Sequence, residues 1–205
     1  MGAQSRERAR IVDAAYRTLA ANGGAALSMA ELLDAAGLGT RAFYRHFAAK
    51  DELLLAVYRR DADRLAERLA RAAAEGPPTA ALTAFVETLL HVADDPRRRR
   101  RLRIMSAEAV RQARGYAGET QRFRAALEAS LAEILARGRG DGSFPLTDPA
   151  PDARSIRAAL GQAFDDQVAG IATVRAAEAA RQVTDFALRA TGATGATDRA
   201  AAAAQ

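Results

Sequence analysis

The chain is 205 residues long and 49% hydrophobic by a count rich in alanine, with a formal net charge of +5, no cysteine, no tryptophan and only two histidines. Without cysteine there is no disulfide framework and no thiolate metal site, and His46 and His91 alone leave a His-based metal site or a Ser/His/Asp triad short of parts. A sequence pI near 10.3 is compatible with a nucleic-acid partner, although Lys50 is the only lysine and so much arginine also reflects base composition.

Met1 to Gln4 reads as a loose tail, and Ser5 to about Ala21 as a first helix. Ile11, Val12, Ala14, Ala15 and Leu19 form its apolar face, with Arg6, Arg8, Arg10 and Arg17 outside. Asn22-Gly23-Gly24 stops it. The next stretch, Leu27 to Leu55, organises the rest. Ser28 suits an N-cap, and Glu31 stands three residues later, as a capping box requires. Leu32, Leu33 and Ala36 give a short amphipathic helix, which Gly37 ends by reaching positive φ without a Cβ penalty. Leu38 plugs the turn. A second short helix is predicted from Thr40 to Phe47, with Gly39 or Thr40 as its cap. Phe43 and Phe47, four apart, share its inner face. Thr40, Arg41, Tyr44, Arg45 and His46 are left to point elsewhere, which is the polar and basic outer face a major-groove reader needs. Lys50 precedes Asp51-Glu52, acids that suit a helix N-terminus, and stands where a compact cation can hold a phosphate. Ser28 and Met29 open the preceding helix, where backbone N–H groups can meet another phosphate.

At these residues the chain resembles the TetR-type (tetracycline-repressor family) regulators. Ala36-Gly37 in the turn, the block Phe43-Tyr44-Arg45-His46-Phe47, and Lys50 with Leu53 carry the resemblance, supported by Ile11, Ala14-Ala15, Leu19 and Asn22-Gly23 upstream. It covers about the first 60 residues; beyond them only the helical layout matches. Gly39 departs from the pattern, since the family often has Ser, Thr or an acid there. The resemblance implies that one or two of the N-terminal arginines reach DNA phosphates; the plainer reading is a solvated face.

A long helix follows, Asp51 to about Ala74, carrying Leu53, Leu54, Val57, Tyr58, Leu65 and Leu69 at helical spacing, and Glu75-Gly76-Pro77-Pro78 ends it. Thr79 caps a helix with Leu82, Phe85, Val86, Leu89 and Leu90. Asp94-Asp95-Pro96 starts another, read as continuing to about Ala113 and ended by Gly115 and Gly118. Glu119 to about Arg137 is next. Gly138 to Pro151 is read as a loop with Phe144 tucked in. Two helices, about Asp152–Ala172 and Val174–Ala190, precede an Ala/Thr/Gly-rich tail expected to be disordered. The expectation is an all-α chain of about nine helices. Residues 1–50 would form a three-helix, helix-turn-helix DNA-binding domain, residues 51–190 a helical effector-binding and dimerisation domain, and residues 191–205 the tail.

Arginines 97 to 101 cannot share one helix face, because successive residues lie about 100° apart. They read as a solvated helix start, or else as an extra nucleic-acid or anionic-ligand contact. His91 reads as a satisfied side chain rather than a ligand. Asp94-Asp95 and Asp165-Asp166 are adjacent and diverge on a helix, so neither makes an acid–base dyad. No phosphate-cradling glycine motif appears. The last two helices are rich in small residues and carry Ile156, Leu160, Phe164, Val183 and Phe186; the resemblance implies that this pair forms a four-helix dimer interface with its copy, the plainer reading being that it closes its own bundle. It also implies an inducer pocket in the second domain. Phe85, Leu89, Met105, Phe123, Leu127 and Phe164 are candidates to line it, or they are plain core.

The expected function is therefore a TetR-like, non-enzymatic transcriptional regulator. It would be a homodimeric repressor released from an inverted-repeat DNA operator by an apolar small molecule, with no cofactor. The charged start and the lack of a run of about 18 apolar residues point to the cytoplasm. A helical protein–protein interaction module, or a ligand-binding bundle without DNA function, is the alternative; neither accounts for the constellation from Gly37 to Lys50.

Overall fold

The first helix, α1 (Ala3–Ala21), forms because Ile11, Val12, Ala14, Ala15 and Leu19 fall on one stripe, and all five are buried. The computed structural model describes residues 3–21, 28–94, 99, 102–104 and 107–193. Among them are nine α-helices, one 3₁₀ turn and no strand, so the all-α expectation holds. The stop at Asn22-Gly23-Gly24, most of the arginine run, Met105 and residues 194–205 lie outside the described residues. No helix among the described residues is long and apolar enough to cross a membrane.

After α1 come α2 (Met29–Ala36), α3 (Thr40–Tyr44) and α4 (Lys50–Ala74). Then follow α5 (Pro78–Leu90), a 3₁₀ turn (His91–Ala93), α6 (Glu108–Arg111), α7 (Tyr116–Gly140), α8 (Pro149–Ala169) and α9 (Ala176–Ala190). The helix expected to run to Ala113 is interrupted at Ala107, whose backbone is extended (φ −60, ψ 146). Gly138 does not open a loop: α7 continues through it to Gly140, and Phe144, fully buried, folds back on it. α8 begins three residues early because Pro149 suits a first helical turn. Asp152 then accepts the Asp148 N–H at 2.8 Å and the Thr147 hydroxyl at 2.8 Å. The tail also starts later than expected, since Thr191 is fully buried and its hydroxyl donates to the Ala187 carbonyl at 2.9 Å.

The chain divides into two compact units, Met1–Arg64 with Pro96–Phe123, and Leu65–Asp95 with Arg124–Gln205. This differs from the division at residue 50 that the sequence suggests. In the first unit α1 packs on α2, and the first half of α4 is laced to the residues around the start of α7. Arg59 meets Glu119 at 2.7 Å, Arg122 meets Asp63 at 2.7 Å, the Arg114 N–H donates to Asp51 at 3.1 Å, and the rings of Tyr58 and Tyr116 meet edge-on at 5.4 Å. In the second unit α5 packs against α9 and α8, with Leu82, Phe85, Val86, Leu131, Ile134, Leu135, Ile156 and Leu160 essentially removed from solvent.

Candidate nucleic-acid interface

Local rules set both ends of α2. Ser28 is extended and its hydroxyl accepts the Glu31 N–H at 3.4 Å. Gly37 adopts the left-handed conformation (φ 61), its N–H donating to Asp34 at 3.0 Å while the Leu38 N–H donates to Leu33 at 3.0 Å. These paired bonds are a Schellman closure. The remaining carbonyl ends of α2 are served from α1: Arg10 donates to the Ala36 carbonyl at 3.0 Å and Arg17 to the Ala35 carbonyl at 3.3 Å. Cations at a helix C-terminus also complement its dipole. So two of the four arginines on α1 have a structural partner that neither sequence reading anticipated.

The turn delivers α3, capped by Gly39 in extended conformation, with Thr40 as its first helical residue. The helix is five residues long, three fewer than expected, and Arg45 and His46 follow it as a turn. Phe43 (0% exposed) and Phe47 (1%) are buried with ring centroids 5.7 Å apart. Thr40, Arg41, Tyr44 and Arg45 are exposed, Tyr44 at 58%. Ser28 is exposed, and Met29 and Lys50 are half-buried at the first turns of α2 and α4. Glu52 accepts the Ala48 N–H at 2.7 Å, which shapes the link into α4.

His46 corrects the expectation for the outer face. Its side chain is only 3% exposed, and Nε2 lies 2.7 Å from the carboxylate of Glu7 on α1. The imidazole is therefore an internal tie rather than a group presented to DNA. Arg45 shares that carboxylate, with Nη2 at 2.9 and 3.1 Å from its two oxygens. Glu7 went unread in the sequence; the signal available was a lone acid between Arg6 and Arg8. It stands in an open hollow of about 640 Å³ that Gln4, Arg6, Arg10 and Arg45 also line. Next to it the Arg8 guanidinium lies over the Phe47 ring at 4.8 Å.

The residues expected to line an inducer pocket are placed as follows. Phe85, Leu89 and Leu127 are buried in the core of the second unit, Phe164 is half-buried there, and Phe123 is half-buried in the first unit. A groove of about 430 Å³ opens between α5 and α9, lined by Thr83, Glu87, Glu178, Arg181, Asp185 and Leu188. Of the residues expected at a dimer interface, Ile156 (1% exposed), Leu160 (0%) and Val183 (8%) close their own unit instead. An amphipathic helix turns its largest apolar residues to its own core first. Phe164 is half-buried, and Phe186, 43% exposed, together with Ile171, 70% exposed, leaves apolar surface outside. His91 is exposed and 4.0 Å from Asp94.

Two carboxylates in the first unit are more acidic than the usual 4.5. The bond from His46, outweighing some desolvation and aided by the Arg45 charge, lowers Glu7. Burial pushes Glu119 up, but bonds from Arg59 and Arg122 overcome it and hold the group low. The unfolded chain then binds more protons than the folded one in this range. The stability these groups contribute is complete above about pH 5 and is lost as pH falls through their folded values. The chain's four tyrosines, Tyr16, Tyr44, Tyr58 and Tyr116, all lie in the first unit, so tyrosine fluorescence isolates it from Asp165, which burial shifts upward in the second. Urea midpoints read from tyrosine should fall between pH 5 and pH 3, less steeply in Glu119→Gln. Parallel slopes for the variant and the natural chain would contradict this.

The family model described as bacterial regulatory proteins, tetR family, matches residues 11–57. The chain is similar in fold to a putative TetR-family transcriptional regulator from Mesorhizobium loti MAFF303099 (TM-score 0.72, 20% identity, 93% of this chain and 97% of that one). It is similar to the regulator FadR from Bacillus subtilis in complex with stearoyl-CoA (0.70, 17% identity, 89% and 98%). A third likeness is to SmeT in its triclosan complex (0.73, 22% identity, 90% and 91%). No curated protein matches the chain in sequence.

Proposed function

We propose that this chain, whose residues 11–57 match the model of the tetR family of bacterial regulatory proteins, is a cytoplasmic homodimeric repressor that an apolar small molecule releases from DNA. On this reading it acts by binding rather than by catalysis. The observation that carries the reading is the exposed set Thr40, Arg41, Tyr44 and Arg45, held out by the buried pair Phe43 and Phe47 within the matched segment.

Two copies of α3 enter successive major grooves of an inverted repeat, about one helical turn apart. Arg41 reads a base, since a guanidinium bridges guanine O6 and N7, and Thr40 touches a base edge or a thymine methyl. Tyr44, Arg45, Lys50 and the backbone N–H groups that Ser28 and Met29 open hold phosphates and set the register. The copies meet through α8 and α9, where Phe186 and Phe164 supply apolar area. FadR with stearoyl-CoA and SmeT with triclosan, alike in fold, support an apolar effector in the second unit. α4, whose residues belong to both units, carries the response. Ligand and DNA affinities are then reciprocally coupled, typically by about 1–3 kcal/mol.

Selection of duplexes from a random library at fixed moderate salt tests this. The natural chain should enrich an inverted repeat. Arg41→Ala should lose about 1–3 kcal/mol on it, roughly five- to 150-fold in affinity, with relaxed preference at one position per half-site. Lys50→Ala should instead weaken all sequences alike and lower the salt slope by about one. A folded dimer that enriches nothing, with or without prior stripping of bound small molecules, would refute the proposal.

A further inference from the structure

We infer that Glu7 is the positioning residue of the reading helix: one carboxylate on α1 clamps the C-terminal end of α3 through Arg45 and His46. The inference rests on the reading of α3 as a DNA reader. A five-residue helix lies far below the length that sustains itself in water. Its N-cap, Gly39, makes no side-chain bond to it. Phe43 and Phe47 bury its inner face but leave its rotation about that contact to be set by something directional. The directional contacts are at the other end. Glu7 Oε2 lies 2.7 Å from Nε2 of a 3%-exposed His46, and Arg45 Nη2 lies within 3.1 Å of both carboxylate oxygens. An ionised carboxylate only accepts, so His46 must carry its proton on Nε2 and the bond fixes its tautomer. Both bonds are charge-assisted or short, the class that orients side chains most firmly.

A second role for Glu7 predicts the opposite sign. As a negative charge in a hollow lined by Arg6, Arg10 and Arg45, it would repel phosphate. By electrostatics alone, Glu7→Gln should then bind DNA more tightly and with a steeper salt slope. Positioning predicts weaker binding to the selected repeat, about five- to twentyfold, with non-specific affinity kept. It also predicts faster amide hydrogen exchange over residues 41–47 in the DNA-free protein. His46→Gln, whose amide nitrogen can stand where Nε2 stands, should restore a donor to Glu7 and stay near natural affinity.

Exchange is measured first, on the full chain without DNA, and affinity second. Faster exchange in Glu7→Gln with weaker specific binding establishes the clamp. Unchanged exchange overturns it, and so does specific binding that is unchanged or tighter. If the natural chain shows no specific DNA binding, the functional reading falls, while the exchange data still decide whether Glu7 holds the helix.

Discussion

Phe144→Ala is expected to cost the second unit about 3–5 kcal/mol, the range for emptying a fully buried aromatic site. The ring does not simply fill a gap among other side chains. It lies close against α7 at Gly138, where an added Cβ would stand 2.1 Å from the ring's Cδ2 and 2.6 Å from Cγ. The Phe144 N–H also donates to the Gly138 carbonyl at 2.9 Å, fastening the chain after α7 to the same spot. Gly138→Ala should therefore be destabilising by about 1–3 kcal/mol, although alanine is the better helix former. The two substitutions should not add. Once the ring is gone, the new methyl occupies part of the vacated space, so the double variant should be more stable than the sum of the singles predicts. Urea denaturation followed by far-UV circular dichroism tests all three. A neutral Gly138→Ala, or strict additivity, would mean that the ring can move aside.

Phe43→Ala should cost the first unit a similar amount, about 3–5 kcal/mol, and should abolish specific DNA binding. A helix as short as α3 has no stability of its own, so its formation depends on burying Phe43 (0% exposed) against Phe47 and the rest of the unit. Tyr44 is the control. It is the next residue, its ring meets Phe43 edge-on at 5.2 Å, and it is 58% exposed. Tyr44→Ala should lose under about 1 kcal/mol of stability, the value of one such ring pair, while still weakening DNA binding. Tyrosine-monitored melts serve Phe43→Ala, and far-UV circular dichroism serves Tyr44→Ala, which removes one of the reporters. If Phe43→Ala kept the natural midpoint, the packing account of α3 would be wrong.

What was legible in the sequence is what local chemistry decides. Ser28 and Gly37 set the ends of α2 within a few residues of chain, and each does as its type predicts, while Glu31 contributes its backbone N–H to the Ser28 hydroxyl. Gly39 as cap left the start of α3 open on sequence alone, and the extended backbone at Gly39 resolves it. Periodicity placed Phe43, Phe47, Leu82 and Phe85 inside correctly. What failed depends on partners far along the chain. His46 reads as outward from helical spacing, but the helix ends at Tyr44 and Glu7, 39 residues earlier, draws the imidazole in. Gly138 reads as a breaker, because nothing local announces that Phe144 needs the room of a missing Cβ. Arg10 and Arg17 read as solvated or phosphate-bound, while the carbonyls they serve belong to another helix. Ile156, Leu160 and Val183 were read as interface because two amphipathic helices in one chain do not say which stripe faces their own core.

The lacing of Asp51, Tyr58, Arg59 and Asp63 to residues 114–122 has a consequence for how such a chain can be recombined. The unit that contains the family-matched segment is not a contiguous cassette. A junction placed after residue 64 would carry away the motif but leave behind Tyr116, Glu119 and Arg122, stranding Tyr58, Arg59 and Asp63. A chimaera that keeps this unit and exchanges the other needs three crossover points, near residues 64, 95 and 123, because the two units alternate along the chain. A single breakpoint between residues 64 and 114 would break this set of contacts, so inheritance of the matched segment is tied to a stretch of helix well beyond it.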